Sequence, residues 1–175
     1  METVRNPQAI VPLTTERLLL HPLGVVEAER IVAQEPGAGD RWAEGYPGEA
    51  DVAVAGRVLD RAAAHGGPGA FGAYEIRLRE DGVAVGGIGF HGPPDAERYV
   101  TVGYGLVPGV RGRGYATEAL RALLAHARKQ GIAGAKGDAD LGNAASQRVM
   151  EAAGMRCTGE DERVRCYRME FTPTA

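Results

Sequence analysis

A chain of 175 residues, 44% hydrophobic and 25% charged, has the length and composition of one soluble globular domain with its own core. Its 20 Lys and Arg against 23 Asp and Glu leave a net charge of -3, without the basic excess that nucleic-acid binding calls for. No run approaches the ~18 apolar residues of a membrane span, and the opening METVRNPQAIVP has an acid and a proline but no apolar stretch of signal-peptide length. The expectation is a cytoplasmic protein whose residues 1–12 form a loose leading segment. The two cysteines, Cys157 and Cys166, fit no metal-ligand spacing. A disulfide between them is geometrically open, but reduced thiols are the commoner state in such a chain.

In chain order, Arg17 to Leu20 is a short apolar run stopped by His21-Pro22, a strand. Weak helical periodicity follows over Val25 to Ala33, and then a loop, DRWAEGYPGE, from Asp40 to Glu49. Val52, Ala55, Val58, Leu59 and Ala62 keep the 3.6-residue period of a helix that ends at His65-Gly66-Gly67. Strands are predicted over Ala70–Arg79, Val83–His91 and Arg98–Val107, the first two joined by the hairpin turn Glu80-Asp81-Gly82. A helix over Tyr115–Lys129 has Ala116, Ala119, Leu120, Leu123 and Ala127 on one face. A strand over Ala133–Ala139 leads to a helix over Asn143–Ala153, with Asn143 as its N-cap and Gly154 just past its end. Met155–Thr158 and Val164–Phe171 close the chain as a hairpin. This order predicts an α+β domain with a mixed sheet.

The stretch richest in chemistry is GYGLVPGVRGRGYATEAL, from Gly103 to Leu120. A strand meets Pro108, then a loop with Gly109, Gly112 and Gly114, then directly a helix. Glycines leave the backbone N–H groups open to a ligand, and a helix start adds unpaired donors and a positive dipole end. Arg111, Arg113, Arg121, Arg128 and Lys129 face only Glu118 in sequence here, so the segment is locally positive. The junction suits a phosphate; the plainer reading is a strand-to-helix turn with solvated arginines. A Walker-type GxxxxGK[ST] string is absent, which argues against that class of NTPase. A GxGxxG string does occur at Gly87–Gly92, but it runs into Pro93-Pro94 instead of opening a helix, so it reads as hairpin glycines.

Arg111-Gly-Arg-Gly114-Tyr-Ala116 resembles the R/Q-x-x-G-x-G/A signature of the GNAT superfamily of N-acetyltransferases. Three more segments resemble its ribosomal-protein-alanine N-acetyltransferase-like branch: Thr15-Glu16-Arg17-Leu18-Leu19-Leu20, Val102-Gly103-Tyr104, and Asn143-Ala-Ala-Ser146 followed by Val149 and Gly154-Met155. The four stand in the family's order over about Leu13 to Phe171. The resemblance implies a mixed, mostly antiparallel sheet of about six to seven strands flanked by about four helices, in one domain spanning the chain. It implies acetyl-CoA as co-substrate and no metal. In that pattern Leu106 and Val107 offer backbone hydrogen bonds to the pantetheine arm, where their strand splays from Ala135–Ala139. Arg111, Gly112, Arg113, Gly114, Tyr115, Ala116 and Thr117 hold the diphosphate. Asn143 bonds the pantetheine through its amide, and Ser146 protonates the leaving thiolate. Taken alone, Asn143 and Ser146 are an N-cap and its partner.

This chain departs from the family pattern twice. Met150 stands where many members place an acid tyrosine, and Thr101 stands where the branch often has a glutamate base. An amine with a pKa of ~8 needs little help at neutral pH, and a water relay from His91, Glu97 or Asp140 is open, His91 foremost. Trp42 and Tyr46 lie in the region that covers the acceptor in this family, where they either line a pocket or seal the sheet. The expected reaction is transfer of an acetyl group to a primary amine, on a small molecule or a protein N-terminus, by a monomer or homodimer. A non-catalytic acyl-CoA-binding module is the alternative, and a nucleotide-binding enzyme a distant third.

Overall fold

The computed structural model describes residues 10–67 and 69–173. One eight-stranded sheet is built from β1 (Leu13–Thr14), β2 (Leu18–Pro22), β3 (Ala73–Leu78), β4 (Ala84–Phe90), β5 (Tyr99–Leu106), β6 (Gly134–Asp140), β7 (Arg156–Glu160) and β8 (Val164–Glu170). The spatial order is β1-β2-β3-β4-β5-β6-β8-β7. Every pairing is antiparallel except β5 with β6. The helices are α1 (Val25–Ala33), α2 (Glu49–His65), α3 (Tyr115–Lys129) and α4 (Ala144–Ala152), with a 3-10 turn at Pro108–Val110. The sheet has eight strands where six or seven are expected. The two-residue β1 precedes the first apolar run and is too short to show periodicity. Of the segment 1–12, residues 1–9 lie outside the described residues, and 10–12 run without regular structure into β1.

Alternation along the strands assigns the helices to opposite faces of the sheet. On β4 and β5, Phe90 sits against His126 of α3 at 6.5 Å between ring centroids, and the Tyr104 hydroxyl reaches Ser146 of α4. Gly87, one register step out of phase, lies under Asp51 of α2. α3 is held on its side by Ala119, Leu120, Leu123, Leu124 and Ala127, all buried. Leu18 and Leu20 on β2 and Ile76 on β3 are fully buried. Burying a side chain of this size stabilises by roughly 1.5–3 kcal/mol, so this apolar layer holds the sheet in place.

Two consequences of this architecture build the site. β5 pairs with β4 along its second half, from Val102 opposite Phe90 to Leu106 opposite Gly86. It pairs with β6 only over Tyr99–Thr101, while β6 continues to Asp140 beside β8. The parallel ladder is therefore three residues long, and the two strands part from Val102 onward. The N–H of Val107 donates to Val85 O (2.8 Å) and that of His91 to Thr101 O (2.8 Å). With that phase, the backbone groups of Val102, Tyr104 and Leu106 point away from β4 and into the splay.

Candidate active site

β5 ends in the turn that opens α3. Gly112 (φ 80°) and Gly114 (φ 83°) are left-handed, a conformation costly for residues with a Cβ. Gly114 is the N-cap of α3 and supplies no side-chain cap. The other three helices each place a side-chain oxygen at this end. Glu27 accepts from the Gly24 N–H and Asp51 from the Gly48 N–H (3.1 and 2.9 Å), and Asn143 Oδ1 accepts from the Ser146 N–H (3.0 Å). Among the described α-helices α3 alone has neither a side-chain cap nor a carboxylate on its N-cap N–H. That is the arrangement an anion needs.

Charge supports the same end. Glu118, the one acid of the segment, is taken out of play by the β1–β2 turn: it accepts from Thr15 Oγ1 (2.6 Å), the Arg17 N–H (2.8 Å) and Arg17 Nε (2.7 Å). Burial alone would raise its pKa, but these donors outweigh burial and leave it below the usual carboxylate range. Arg17 also stacks on the Tyr115 ring at 4.5 Å and donates to Arg113 O. In the sequence Arg17 is only the first residue of the opening apolar run; in the fold it is a brace for the start of α3. Its role depends on a contact 101 residues away in the chain.

Arg111 turns back along β5, its Nε donating to Leu106 O at 3.0 Å. Both Val107 backbone groups are engaged, the N–H with Val85 O and the carbonyl with the Val110 N–H. In the splay this leaves the Leu106 N–H and the groups of Tyr104. Asn143 is exposed, and its capping bond uses Oδ1, so the Nδ2 donors remain available.

Ser146 Oγ lies 2.9 Å from the Tyr104 hydroxyl, which also donates to Ser146 O at 3.1 Å. Burial raises the Tyr104 pKa and the Ser146 bond only partly opposes it, so the phenol stays protonated at neutral pH. Tyr104 was visible in the sequence only as part of a triplet; its partnership with Ser146 joins β5 to α4 across 42 residues. Met150 is buried with its thioether end packed over Gly137, and it has no proton to give.

On the other face a cavity of about 980 Å³ lies between α2 and the sheet. Its floor is two cross-strand pairs of glycines, Gly87 with Gly105 and Gly89 with Gly103. The GxGxxG string, read from sequence as hairpin glycines, therefore sits inside β4. Its first two glycines serve as floor, because the real turn lies beyond Phe90. A Cβ at Gly105 would meet nothing within 4 Å, whereas one at Gly89 would press on the Ala73 backbone at 2.7 Å. One glycine is open space and the other a packing requirement.

Tyr46 lines this cavity and is buried, its hydroxyl donating to Glu75 at 2.9 Å. Trp42 is not among the lining residues; it packs edge-on against Tyr46 at 5.6 Å and bridges to Ala84 of β4. His91, just past the end of β4, packs its imidazole over Gly103. Burial of the ring, then the nearby Arg57, lower its pKa below the usual imidazole value against a smaller opposing pull from Asp138. The imidazole is therefore neutral at pH 7. Asp51, unnoticed in the sequence, hangs Oδ1 over Gly87. Burial, and secondarily Glu75, raise its pKa against the Gly48 bond. The cavity reaches Leu106, Val107, Pro108 and Arg111, so it extends to the end of β5 and the turn that leads into α3. Among the described residues no group of three His, Cys, Asp or Glu side chains could hold a metal ion, and no helix is long and apolar enough to cross a membrane. Cys157 and Cys166, on neighbouring strands, are free and exposed.

A search of curated proteins returns no match. Among solved structures, an acetyltransferase from Agrobacterium tumefaciens str. C58 is 28% identical, with a TM-score of 0.64 over 97% of this chain and 98% of that one. The ribosomal-protein-S5-alanine acetyltransferase from Vibrio fischeri is 15% identical, with a TM-score of 0.68 over 91% and 96%. RimJ of Mycobacterium smegmatis, in complex with CoA-disulfide, is 20% identical, with a TM-score of 0.64 over 94% and 88%. Residues 17–156 match the model of the acetyltransferase (GNAT) domain. The chain belongs to that family: it is a GNAT N-acetyltransferase that draws on acetyl-CoA.

Proposed function

We propose that the chain acetylates a primary amine by direct attack of the amine on the thioester, with no covalent intermediate on the protein. Bound acetyl-CoA supplies an activated acetyl group. Residues Arg111 to Thr117 hold its diphosphate on the open amides of α3. The Leu106 N–H and the Tyr104 backbone hold the pantetheine in the splay, joined by Asn143 through Nδ2. Val107 contributes wall and not hydrogen bonds. A backbone N–H of β5 facing the splay polarises the thioester carbonyl. Confining amine and thioester in one cavity supplies most of the rate.

As the C–N bond forms and the C–S bond breaks, the sulfur needs a proton. Ser146 donates it and takes a proton from Tyr104, whose hydroxyl is 2.9 Å away, and Tyr104 regains its proton from solvent before the next turnover. The proton lost by the amine passes to His91, directly or through water. Tyr46 lines the acceptor space and holds Glu75 still; Trp42 braces Tyr46 from behind. Both a small-molecule amine and a protein N-terminus meet these requirements.

The observation that supports this reading above others is continuity: one cavity joins a glycine floor between Asp51 and His91 to the passage at Leu106 and Arg111. A module that only bound acyl-CoA would have no use for a cleared space beside the thioester. The test is release of CoA thiol by the purified protein over a panel of amines. Amine-dependent release supports transfer. Tight CoA binding with no release on any amine contradicts it.

A further inference from the structure

The cavity under α2 is electrically divided along its length. At one end Asp51 Oδ1 points at the floor over Gly87, its other oxygen tied to the Gly48 N–H. Below it Glu75, 3% exposed, is already satisfied by Tyr46 and Arg77. Asp51, Glu75 and Glu49 therefore share this end with the guanidiniums of Arg77 and Arg111, leaving a net negative charge in a largely apolar wall. At the other end Arg57 and Arg61 stand one helical turn apart on the same face of α2, both lining the cavity. The Arg61 guanidinium reaches to within 3.9 Å of a Cβ built at Gly92, just beyond His91. Neither forms a salt bridge among the described residues. Glu49 lines the acidic end, and no carboxylate lines the end near Arg57 and Arg61.

Resting on the acetylation reading above, we infer that the acceptor is a small amine carrying its own anionic group: an ammonium drawn to Asp51 and a carboxylate or phosphate held by Arg57 and Arg61. The glycine floor between these ends gives the linker room. Asp51 and Arg57 are six residues apart on one helix, about 9 Å along its axis. The anion thus sits several bonds from the reacting nitrogen, and an α-amino acid, with its two charges adjacent, is too short. The ammonium comes to rest over the Gly105–Gly103 step, between Asp51 and His91. This places it beside the Tyr104 and Leu106 backbone, where the thioester is held, and leaves the anion beyond His91.

The test is a homologous series of ω-amino acids, from glycine to 8-aminooctanoate, against n-alkylamines and α,ω-diamines of equal length. Thiol release and calorimetric binding in the presence of CoA are both measured. A ligand that satisfies both ends should exceed the alkylamine of its length by about tenfold or more, with an optimum at intermediate length. In the Arg57→Gln/Arg61→Gln protein that ratio should fall toward one, and Arg61→Glu should shift preference toward diamines. Equal use of alkylamines and ω-amino acids, or a neutral peptide amide outdoing both, would overturn the inference while leaving amine acetylation intact. If no amine releases thiol, the transfer reading fails. The binding series still decides: chain-length-dependent binding lost in the double variant supports the dipolar site, and binding indifferent to the far-end charge removes it.

Discussion

The two ends of the proposed active site are made of different material. The proposed cofactor end is written in backbone: uncapped amides at Gly114–Thr117, two left-handed glycines, and strand groups turned into a splay. The proposed acceptor end is written in side chains from scattered elements: Asp51, Arg57 and Arg61 of α2, Tyr46 of the preceding loop and His91 just past β4. A site of backbone tolerates change in everything but its glycines. A site of side chains can be rebuilt for a new acceptor without disturbing the first. The contrast explains how one fold keeps a fixed donor while its acceptors vary.

The largest expected effect is at the backbone end. Gly114→Asp places a carboxylate where the diphosphate must sit and should weaken CoA binding by on the order of 100-fold or more. The protein should still fold, because Asp in a left-handed conformation costs only ~1–2 kcal/mol. Calorimetry on a folded variant with unchanged CoA affinity would show that α3 does not carry the phosphate.

At the side-chain end the complementary change is Gly105→Leu. A Cβ there meets nothing, so fold and CoA affinity should survive while the added side chain occupies the acceptor space and lowers kcat/KM by roughly tenfold or more. Parallel loss of CoA affinity would mean that the two ends are not separable. Ser146→Ala and Tyr104→Phe should each lower kcat by about tenfold with little change in CoA affinity. The double variant should cost no more than the worse single one, as expected of one relay. Full additivity would separate the two hydroxyls.

Smaller effects sharpen the picture. His91 is held below the ordinary imidazole value by burial and by Arg57. Its neutral, proton-accepting form should therefore persist below pH 6.5, with the acid limb of kcat/KM falling only at lower pH. Removing a neighbouring positive charge by Arg57→Gln should move that limb to higher pH. A limb that stays in place would remove His91 as the proton acceptor. Finally, Gly89→Ala forces a methyl onto the Ala73 backbone and should destabilise by about 1–3 kcal/mol in denaturant titrations. Its open floor-mate changed as Gly105→Ala should alter stability by less.

Which parts were legible in sequence follows the same division. Gly112 and Gly114 announce themselves because a strand, closely spaced glycines and a helix start lie within twelve residues, and the local pattern is the site. The strands and helices that carry them show their periods for the same reason. Asp51 reads as one more acid in the first turn of an amphipathic helix, and Arg57 and Arg61 as its solvated face. Only the fold lays that face over β4 and β5. Gly87 and Gly89 mislead for a related cause: without the register, glycines in a strand cannot be told from glycines in a turn, although their pairing with Gly105 and Gly103 makes them a floor. Tyr104 and Ser146 meet across 42 residues, and β1 is two residues long; neither leaves a local signature.

The most direct test is a crystal structure of the protein with CoA. The account predicts the diphosphate on the N–H groups of Gly112 to Thr117, the pantetheine in the splay between β5 and β6, and the sulfur within hydrogen-bonding reach of Ser146 Oγ. A diphosphate bound elsewhere, with the first turn of α3 contacting only solvent, would contradict it.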